Sequence, residues 1–391
     1  MKKRTIVLSV ILSGIVLAGL CGCGKNTGRK EGETAGSDLP VYEDGLSGPG
    51  NPGETESGQE DYFINGSGAV VWRGKQLTIG FSQIGAESDW RLASSVSMED
   101  TFSIGNGYNL IFDNAQQKQE NQIKAIREFI DQGVDYIILD PIVETGWTSS
   151  LREAKEAGIP VIVVDREVRL DDDSLYTAWL GSDFRLEGDR ACGWLKEYLE
   201  ESFHGKPVNI LHIQGTPGSS AQIGRSMALF DAAAENGWNI LQSTSGDFVQ
   251  AKGKEVLEQA LEDFGDEIQV VYCENDNMAY GAIEALEEAG KKPGLDLENG
   301  EVLMISFDSA KEGLQYTLDG KIAVDTECNP QYAPALSRLL LELEKGAQVE
   351  KKNYYEEGQF SAYEPIDLVS AGSEEYPVTI VTQDLIRRRT Y

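Results

Sequence analysis

Several polar side chains follow directly after apolar runs of the sequence. Asp165 and Arg166 stand together after one such run. A guanidinium offers planar donors and a carboxylate offers paired acceptors, so this pair can bind adjacent hydroxyl groups bidentately. The same pair also fits a surface ion pair, and a single polar residue at a strand end can simply cap a helix. The other polar groups in such positions are Ser82, Gln83, Asp140, Gln214, Asn275, Asp276 and Asp308.

Two aromatic residues, Trp90 and Phe248, lie in polar segments that we interpret as loops. An aromatic ring in such a place can pack against the C–H face of a sugar ring. It can equally be a satellite of the hydrophobic core.

The elements that would position these residues follow from the apolar pattern. From Gln76 onward, short β-rich runs alternate with helical patterns, which indicates a parallel sheet covered by helices. Ligands of such sheets bind beyond the carboxyl ends of the strands. The predicted strands are Leu77–Phe81, Tyr108–Asp113, Val134–Asp140, Val161–Asp165, Val208–Gln214, Trp238–Ser243, Val270–Glu274, Val302–Phe307 and Ile322–Thr326.

Composition excludes several classes of function. The net charge of −31 disfavours nucleic-acid binding. The two histidines, His204 and His212, support neither a His-based catalytic triad nor a metal cluster. The cysteines beyond residue 23 are odd in number and lack metal-site spacing, so we expect no metal and no cofactor. Paired carboxylates leave a carbohydrate-active enzyme as a remote alternative.

The N-terminus has the layout of a secretory signal. Lys2, Lys3 and Arg4 precede an apolar run that is too short to span a bilayer comfortably. The run ends in Leu-Cys-Gly-Cys at 20–23, which resembles a bacterial lipobox. We predict a signal peptide over residues 1–22 and lipidation at Cys23. Cys21 is the poorer candidate because bulky Leu20 precedes it, and a plain signal peptide is the alternative.

Residues 23–75 are predicted to be the lipidated Cys and a disordered tether. This segment is rich in Gly, Glu, Ser and Asp, contains three prolines, and has no sustained apolar periodicity. The residues from 76 onward are enough for two domains of ordinary size.

Several segments carry a family resemblance that runs from Gln76 to about Leu340. The segments are TIGFSQIGAESDWRLA at 78–93, DNAQQKQENQIKAIREFIDQGVDYIILDP at 113–141, VETGW at 143–147, AGIPVIVVDR at 157–166, SGDFVQAKGKEV at 245–256 and ENDNMAYGAIEALEEAGKKPG at 274–294. They resemble bacterial galactofuranose-binding proteins and, more broadly, ribose-type periplasmic binding proteins of ABC transporters.

The resemblance implies an α/β fold of two Rossmann-like lobes with parallel sheets, joined by a three-segment hinge, the type I periplasmic binding protein fold. Lobe 1 is expected to comprise residues 76–181 and about 330–358. Lobe 2 is expected to comprise residues 182–329 and about 359–391.

The resemblance also implies which residues contact a sugar in the cleft between the lobes. Asp89 stands where the family pattern implies Gly, and it would add a carboxylate at the rim of the cleft. The segment Glu327–Gln331 follows the family only loosely. The implied contacts are Glu87, Ser88, Asp89, Trp90, Arg91, Asp165, Arg166, Arg225, Phe248, Asn275 and Asp308.

The expected function is therefore that of a lipid-anchored, extracytoplasmic sugar-binding protein of an ABC importer. The expected ligand is a small neutral sugar, a furanose form of galactose or a related pentose, bound by a monomer that delivers it to permease subunits. A sensor that presents sugar to a receptor or sensor kinase requires the same closure of the lobes, so this alternative is retained. A repressor-type regulator does not fit, because a signal and lipobox replace DNA-binding helices.

Overall fold

The structure is a computed structural model that describes residues 61–391. The predicted signal peptide, Cys23 and the first part of the predicted tether lie outside the described residues.

The described chain alternates strands and helices along most of its length. The strands are β1 (Tyr62–Ile64), β2 (Val70–Trp72), β3 (Leu77–Gln83), β4 (Tyr108–Asn114), β5 (Tyr136–Leu139), β6 (Val161–Val164), β7 (Ala178–Gly181), β8 (Asn209–Gln214), β9 (Asn239–Ser245), β10 (Val270–Cys273), β11 (Leu303–Asp308), β12 (Val324–Glu327), β13 (Lys352–Tyr354), β14 (Gln359–Ser361), β15 (Leu368–Ala371), β16 (Glu374–Pro377) and β17 (Thr379–Ile380). The α-helices are α1 (Asp89–Thr101), α2 (Gln119–Gln132), α3 (Thr148–Glu156), α4 (Phe184–Ser202), α5 (Ser220–Asn236), α6 (Gln250–Phe264), α7 (Asp276–Glu288), α8 (Lys311–Leu318), α9 (Ala333–Glu344) and α10 (Gln383–Arg388).

Lobe 1 is built on a six-stranded sheet in the order β13-β7-β6-β5-β3-β4. Every neighbouring pair in it is parallel. The central strands β5 and β6 read YIIL and VIVV and are buried at every position. Such continuous apolar strands form because helices cover both faces of a parallel sheet.

Lobe 2 is built on a seven-stranded sheet in the order β17-β14-β12-β11-β10-β8-β9. Neighbouring strands are parallel except for β12 and β14, so β14 and β17 run opposite to the other five strands. Its core strands β10 and β11 are likewise buried throughout.

The chain crosses between the two sheets three times. It leaves lobe 1 after β7, returns after β12 to form α9, and leaves again between β13 and β14. Two parallel α/β lobes with three crossings confirm the fold class predicted from the sequence. The carboxyl ends of β3, β5 and β6 therefore face the corresponding ends in lobe 2 across a cleft.

The structure corrects the sequence predictions in two places. The tether was predicted to run to residue 75, but β1 and β2 form an antiparallel hairpin in which Val70 and Val71 are buried. This hairpin is fixed to lobe 1 because the Val70 amide donates to Ser337 Oγ at 3.0 Å. Trp90 does not lie in a loop, since α1 begins at Asp89 with Ser88 as its N-cap.

Each predicted strand overlaps an observed one, but several strands were missed. Besides β1 and β2, these are β7, the polar edge strand β13, and the strands after β13. They are only two to four residues long, so their period-2 pattern is too short to stand out.

Candidate functional site

A cavity lies between the lobes at the carboxyl ends of the strands. Its lining contains all the predicted contacts except Asp89. The lining residues are Glu87, Ser88, Trp90, Arg91, Asp165, Arg166, Phe184, Ala221, Arg225, Phe248, Asn275, Asp308 and Cys328.

On the lobe 1 side, Arg91 is the centre of an ion-pair cluster. Its guanidinium lies in the first turn of α1 and donates to Glu87 and Asp165, at 3.2 Å in each case, and to Asp140. All of these side chains are 5% exposed or less. Buried charges are tolerated only when they are paired, so the cluster fixes Arg91 in place before any ligand arrives.

Burial and neighbouring charges move the pKa values of this cluster. Burial alone would raise the pKa of Glu87, but Arg91 and Arg166 outweigh it and the pKa lies below its ordinary value. Burial raises the pKa of Asp140 well above its ordinary value, and Asp165 adds to this effect against the pull of Arg91. The two carboxyls therefore differ in proton affinity within one cluster.

Arg166 is the least satisfied guanidinium of the site. It donates to the Ile142 carbonyl at 3.0 Å, and its Nε lies 4.0 Å from Asp165. Burial, followed by repulsion from Arg91, lowers its pKa. The sequence suggested that Asp165 serves Arg166, whereas in the structure Asp165 binds Arg91 more closely. Arg166 thus keeps donors for a ligand.

On the lobe 2 side, Arg225 occupies the second turn of α5. Its Nε donates to Glu187 at 2.7 Å, and its guanidinium also contacts the Glu274 carbonyl. Asp308 lies 3.7 Å away at the end of β11. Burial lowers the pKa of Arg225, but Glu187, Cys328 and Asp308 outweigh it, so the pKa is raised overall.

The acidic partners of Arg225 carry raised pKa values. Burial raises the pKa of Glu187 to about 7, although Arg225 opposes the shift. Burial likewise raises the pKa of Asp308 well above its ordinary value. A carboxyl that holds its proton near neutral pH can donate as well as accept a hydrogen bond, which suits hydroxyl groups.

Aromatic rings from both lobes border the cavity. Trp90 comes from lobe 1, and its indole Nε1 donates to the Cys328 carbonyl at 2.6 Å. Phe248 comes from lobe 2, and the Arg166 guanidinium lies 5.0 Å from its ring centre. Both side chains are 5% exposed. A Cβ atom at position 215 would lie 1.9 Å from the Phe248 ring, so any residue other than Gly215 would clash with the ring.

Three site residues adopt left-handed backbone conformations. Asp165 has φ 55°, Phe248 has φ 64° and Asp308 has φ 105°. Non-glycine residues in this region are strained, and such strain concentrates at binding sites. Asp165 and Asp308 stand at the ends of strands, and Phe248 stands in the loop before α6. The sequence did not reveal these backbone conformations.

The side chains of Asn275 and Ser88 line the cavity and also cap helices. The Asn275 side chain caps α7 by accepting from the Met278 amide at 3.0 Å, and Ser88 caps α1 in the same way through the Arg91 amide at 3.2 Å. Asp89 is the exception among the predicted contacts, because it turns to Asn277 of lobe 2 and does not line the cavity.

Sequence reasoning missed Phe184, Ala221 and Cys328 as lining residues. Phe184 and Cys328 lie where the chain crosses between lobes, which only the topology shows. Asp140 had been noted as a strand-end carboxylate, and its ion pair with Arg91 explains that position. The free cysteines of the described chain, Cys192, Cys273 and Cys328, are all buried.

Three side chains that could ligate a metal ion lie close together where the chain crosses between the lobes. They belong to Glu187, Cys328 and Glu357, and one oxygen or sulfur atom of each lies within 4.8 Å of the other two. Glu357 accepts from Ser182 Oγ at 2.8 Å and from the Asn329 amide at 2.6 Å. Burial raises the pKa of each of the three groups. We assign this cluster to hydrogen bonding that joins the three crossing segments.

Comparison with known proteins places this geometry in a family. The sequence pattern of the family described as "Periplasmic binding protein domain" matches residues 79–346. The chain belongs to this periplasmic binding protein family. A curated relative is the galactofuranose-binding protein YtfQ of Escherichia coli K12, which is 41% identical over 280 residues, 70% of this chain and 85% of the relative.

Solved structures of family members agree with the fold. A Mycobacterium smegmatis protein in complex with β-D-fucofuranose is 39% identical with a TM-score of 0.68, covering 73% of this chain and 91% of that one. The binding protein of the arabinose ABC transporter from Shewanella sp. ANA-3, bound to α- and β-L-arabinofuranose, is 39% identical with a TM-score of 0.67, covering 72% and 91%.

These relatives are binding proteins, which confirms the prediction that the chain is not an enzyme. Within residues 61–391, we find no helix long and apolar enough to cross a membrane.

Proposed function

We propose that this periplasmic binding protein is the sugar receptor of an ABC importer and binds one small neutral sugar in the cleft cavity. The observation that carries the proposal is the cavity itself, which is lined by guanidinium, carboxyl and amide groups from both lobes together with Trp90 and Phe248. Planar polar groups match vicinal hydroxyls, and aromatic rings match the C–H face of a sugar.

A neutral ligand fits the charge balance of the site. Arg91 is paired with three carboxyls, and Arg225 lies beside Glu187 and Asp308. An anionic sugar would add charge to a buried region already rich in carboxyls, which costs free energy. Sugar acids and sugar phosphates should therefore be excluded.

A furanose ring is the favoured form of the ligand. The relatives named above bind, by their descriptions, galactofuranose, β-D-fucofuranose and L-arabinofuranose. These ligands share a five-membered ring, so galactose and arabinose in their furanose forms are the proposed candidates.

A thermal-shift screen tests the proposal. D-galactose, D-fucose and L-arabinose should raise the melting temperature, since a ligand at 100-fold excess over its Kd adds about 2.7 kcal/mol to the free energy of unfolding. D-galacturonate and galactose 1-phosphate are the matched anionic controls and should leave it unchanged. Stabilisation by the anions but by no neutral sugar would reject the proposal.

The site of action is proposed to be the extracytoplasmic face of the cell membrane, with a lipid on Cys23. Support comes from the basic residues, the apolar run and the lipobox-like sequence at 20–23. Cys23→Ser should release the protein from the membrane fraction, whereas Cys21→Ser should leave it attached. Retention of both variants in washed membranes would contradict anchoring through Cys23.

A further inference from the structure

Outside the cavity, the two lobes touch at the rim of the cleft. On one side, the Glu144 amide of lobe 1 donates to the Gly218 carbonyl of lobe 2 at 3.0 Å, and the Glu167 amide donates to Ser220 Oγ at 2.8 Å. Both donors are backbone amides, and only the second bond has a side-chain acceptor, the Ser220 hydroxyl. On the other side, the contact depends on two particular side chains.

That second contact is a reciprocal pair of hydrogen bonds. The Asp89 amide at the start of α1 donates to Asn277 Oδ1 at 3.1 Å. Asn277 Nδ2, in the first turn of α7, donates back to Asp89 Oδ2 at 3.3 Å. Asn277 is 7% exposed, and neither residue lines the cavity.

The position of the pair links it to closure. Asp89 directly follows Ser88, and Asn277 lies two residues after Asn275, so each partner stands within two residues of the cavity lining. The helices α1 and α7 belong to different lobes, and hinge opening separates them. The two bonds therefore exist only in the closed state and favour it over the open state.

We propose that Asp89 and Asn277 form a cleft clasp that sets the lifetime of the ligand complex without touching the ligand. The clasp deepens the proposed function and rests on it for the identity of the ligand. Asp89 is a positioning residue here, in place of the direct sugar contact that the resemblance implied.

The expected effect lies in the rate of ligand release. A hydrogen bond of this kind contributes a factor of about 2 to 12 to an equilibrium constant, and changes within one interface fall mainly on the dissociation rate. Asn277→Ala loses both bonds and should speed release about 4- to 150-fold. Asp89→Ala keeps the amide donor and should give a smaller increase.

The test measures release of L-arabinose and D-galactose by stopped-flow tryptophan fluorescence. The double variant should match Asn277→Ala alone, because both bonds are already lost there. Asp89→Asn keeps a carbonyl acceptor and should restore most of the lifetime. The matched controls are Asp100→Ala, on the exposed side of α1, and Asn299→Ala, at the surface of lobe 2. Both should behave as the parent does.

A distance measurement separates failure of the clasp from failure of the proposed function. Spin labels at Glu128→Cys and Glu262→Cys report the distance between the lobes, and the native described cysteines are buried. In Asn277→Ala the closed population should shrink, with the melting temperature of the unliganded protein unchanged. If no sugar binds the parent, the proposed function fails. The closed population of Asn277→Ala, compared with that of the parent, then tests the clasp by itself. Parent-like release, or a parent-like closed population, in Asn277→Ala overturns the clasp.

Discussion

Three arginines dominate the cleft, and each is held differently. Arg91 is surrounded by three carboxyl groups, Arg225 by two carboxyl groups and a backbone carbonyl, and Arg166 by a single carbonyl with Asp165 at 4.0 Å. Arg166 therefore has the most bonding capacity left for a ligand. Arg225 faces it from the other lobe, so a sugar between them would join the lobes.

Lysine substitutions test these two guanidiniums. Arg166→Lys and Arg225→Lys keep the charge but lose the planar fork. Loss of one charge-assisted bond in a dry site should weaken sugar binding about 10- to 150-fold in calorimetry. Arg225→Lys should also lower the melting temperature more than Arg166→Lys, since Arg225 has more partners within the protein. Arg127→Lys, in an exposed ion pair with Glu153, is the control.

Parent-like affinity in both cleft variants would contradict the role assigned to these arginines. Loss of affinity in Arg127→Lys as well would show that the assay responds to stability alone.

The residues that the sequence located are those that follow a buried strand, because the carboxyl ends of parallel strands meet at one edge. Asp165, Arg166 and Asp308 were found in this way. What the sequence could not show was pairing across the fold, such as Asp165 with Arg91, which is 74 positions away. It also could not show that Asp89 faces another lobe.

At the scale of elements, lobe 2 contains a buried carboxyl pair behind the site. Asp276 begins α7 and Asp325 lies in β12. Ser306 Oγ and the Ala310 amide donate to Asp276 at 2.6 and 2.8 Å, and the Ser309 amide donates to Asp325 at 3.0 Å. Burial, followed by repulsion from Asp308, raises the pKa of Asp325 to about 7.

This pair predicts a dependence of stability on pH. The folded state holds a proton that the unfolded chain releases near pH 4, so the folded state binds more protons between the two pKa values. The stabilisation is complete below pH 4 and is lost as pH rises to about 7, the folded pKa of Asp325. The melting temperature should fall by about 2 to 6 °C between pH 5.5 and 8.

Asp325→Asn should make this dependence less steep, and Glu187, whose folded pKa is also about 7, should account for part of what remains. The introduced side-chain carbonyl can still accept from the Ser309 amide, and the introduced NH₂ can donate to an ionised Asp276. Asp263→Asn, exposed on α6, is the control and should keep the parent's pH profile. An equally steep profile in Asp325→Asn would remove the carboxyl pair as its source.

The elements themselves were largely predictable where burial is complete. The runs in β5 and β6 are apolar at every position, and the sequence located both. The β1–β2 hairpin was missed because its stability comes from contacts with distant α9, through Ser337 and Arg338, and not from a local pattern. Short edge strands such as β13 were missed because three residues are too few for a period-2 pattern to stand out.

At the scale of the whole molecule, the ligand site exists only where both lobes meet. Lobe 1 supplies Arg91, Arg166 and Trp90, and lobe 2 supplies Arg225 and Phe248. In the proposed function, closure of the lobes assembles the complete set of contacts and buries them from water. The hydrogen bonds at the rim also join the two lobes. The free energy of sugar binding and the closure of the lobes about the three crossing segments are therefore coupled.

The central claim is that this cavity binds a neutral sugar in a five-membered ring, and titration calorimetry with ring-locked analogues tests it most directly. The analogue 1,4-anhydro-D-galactitol holds the five-membered ring and 1,5-anhydro-D-galactitol the six-membered ring, and neither can interconvert. The account predicts one molecule bound per chain, with the five-membered analogue at least about tenfold tighter, a difference of about 1.4 kcal/mol. Tighter binding of the six-membered analogue would contradict the account, as would absence of binding by both analogues together with D-galactose and L-arabinose.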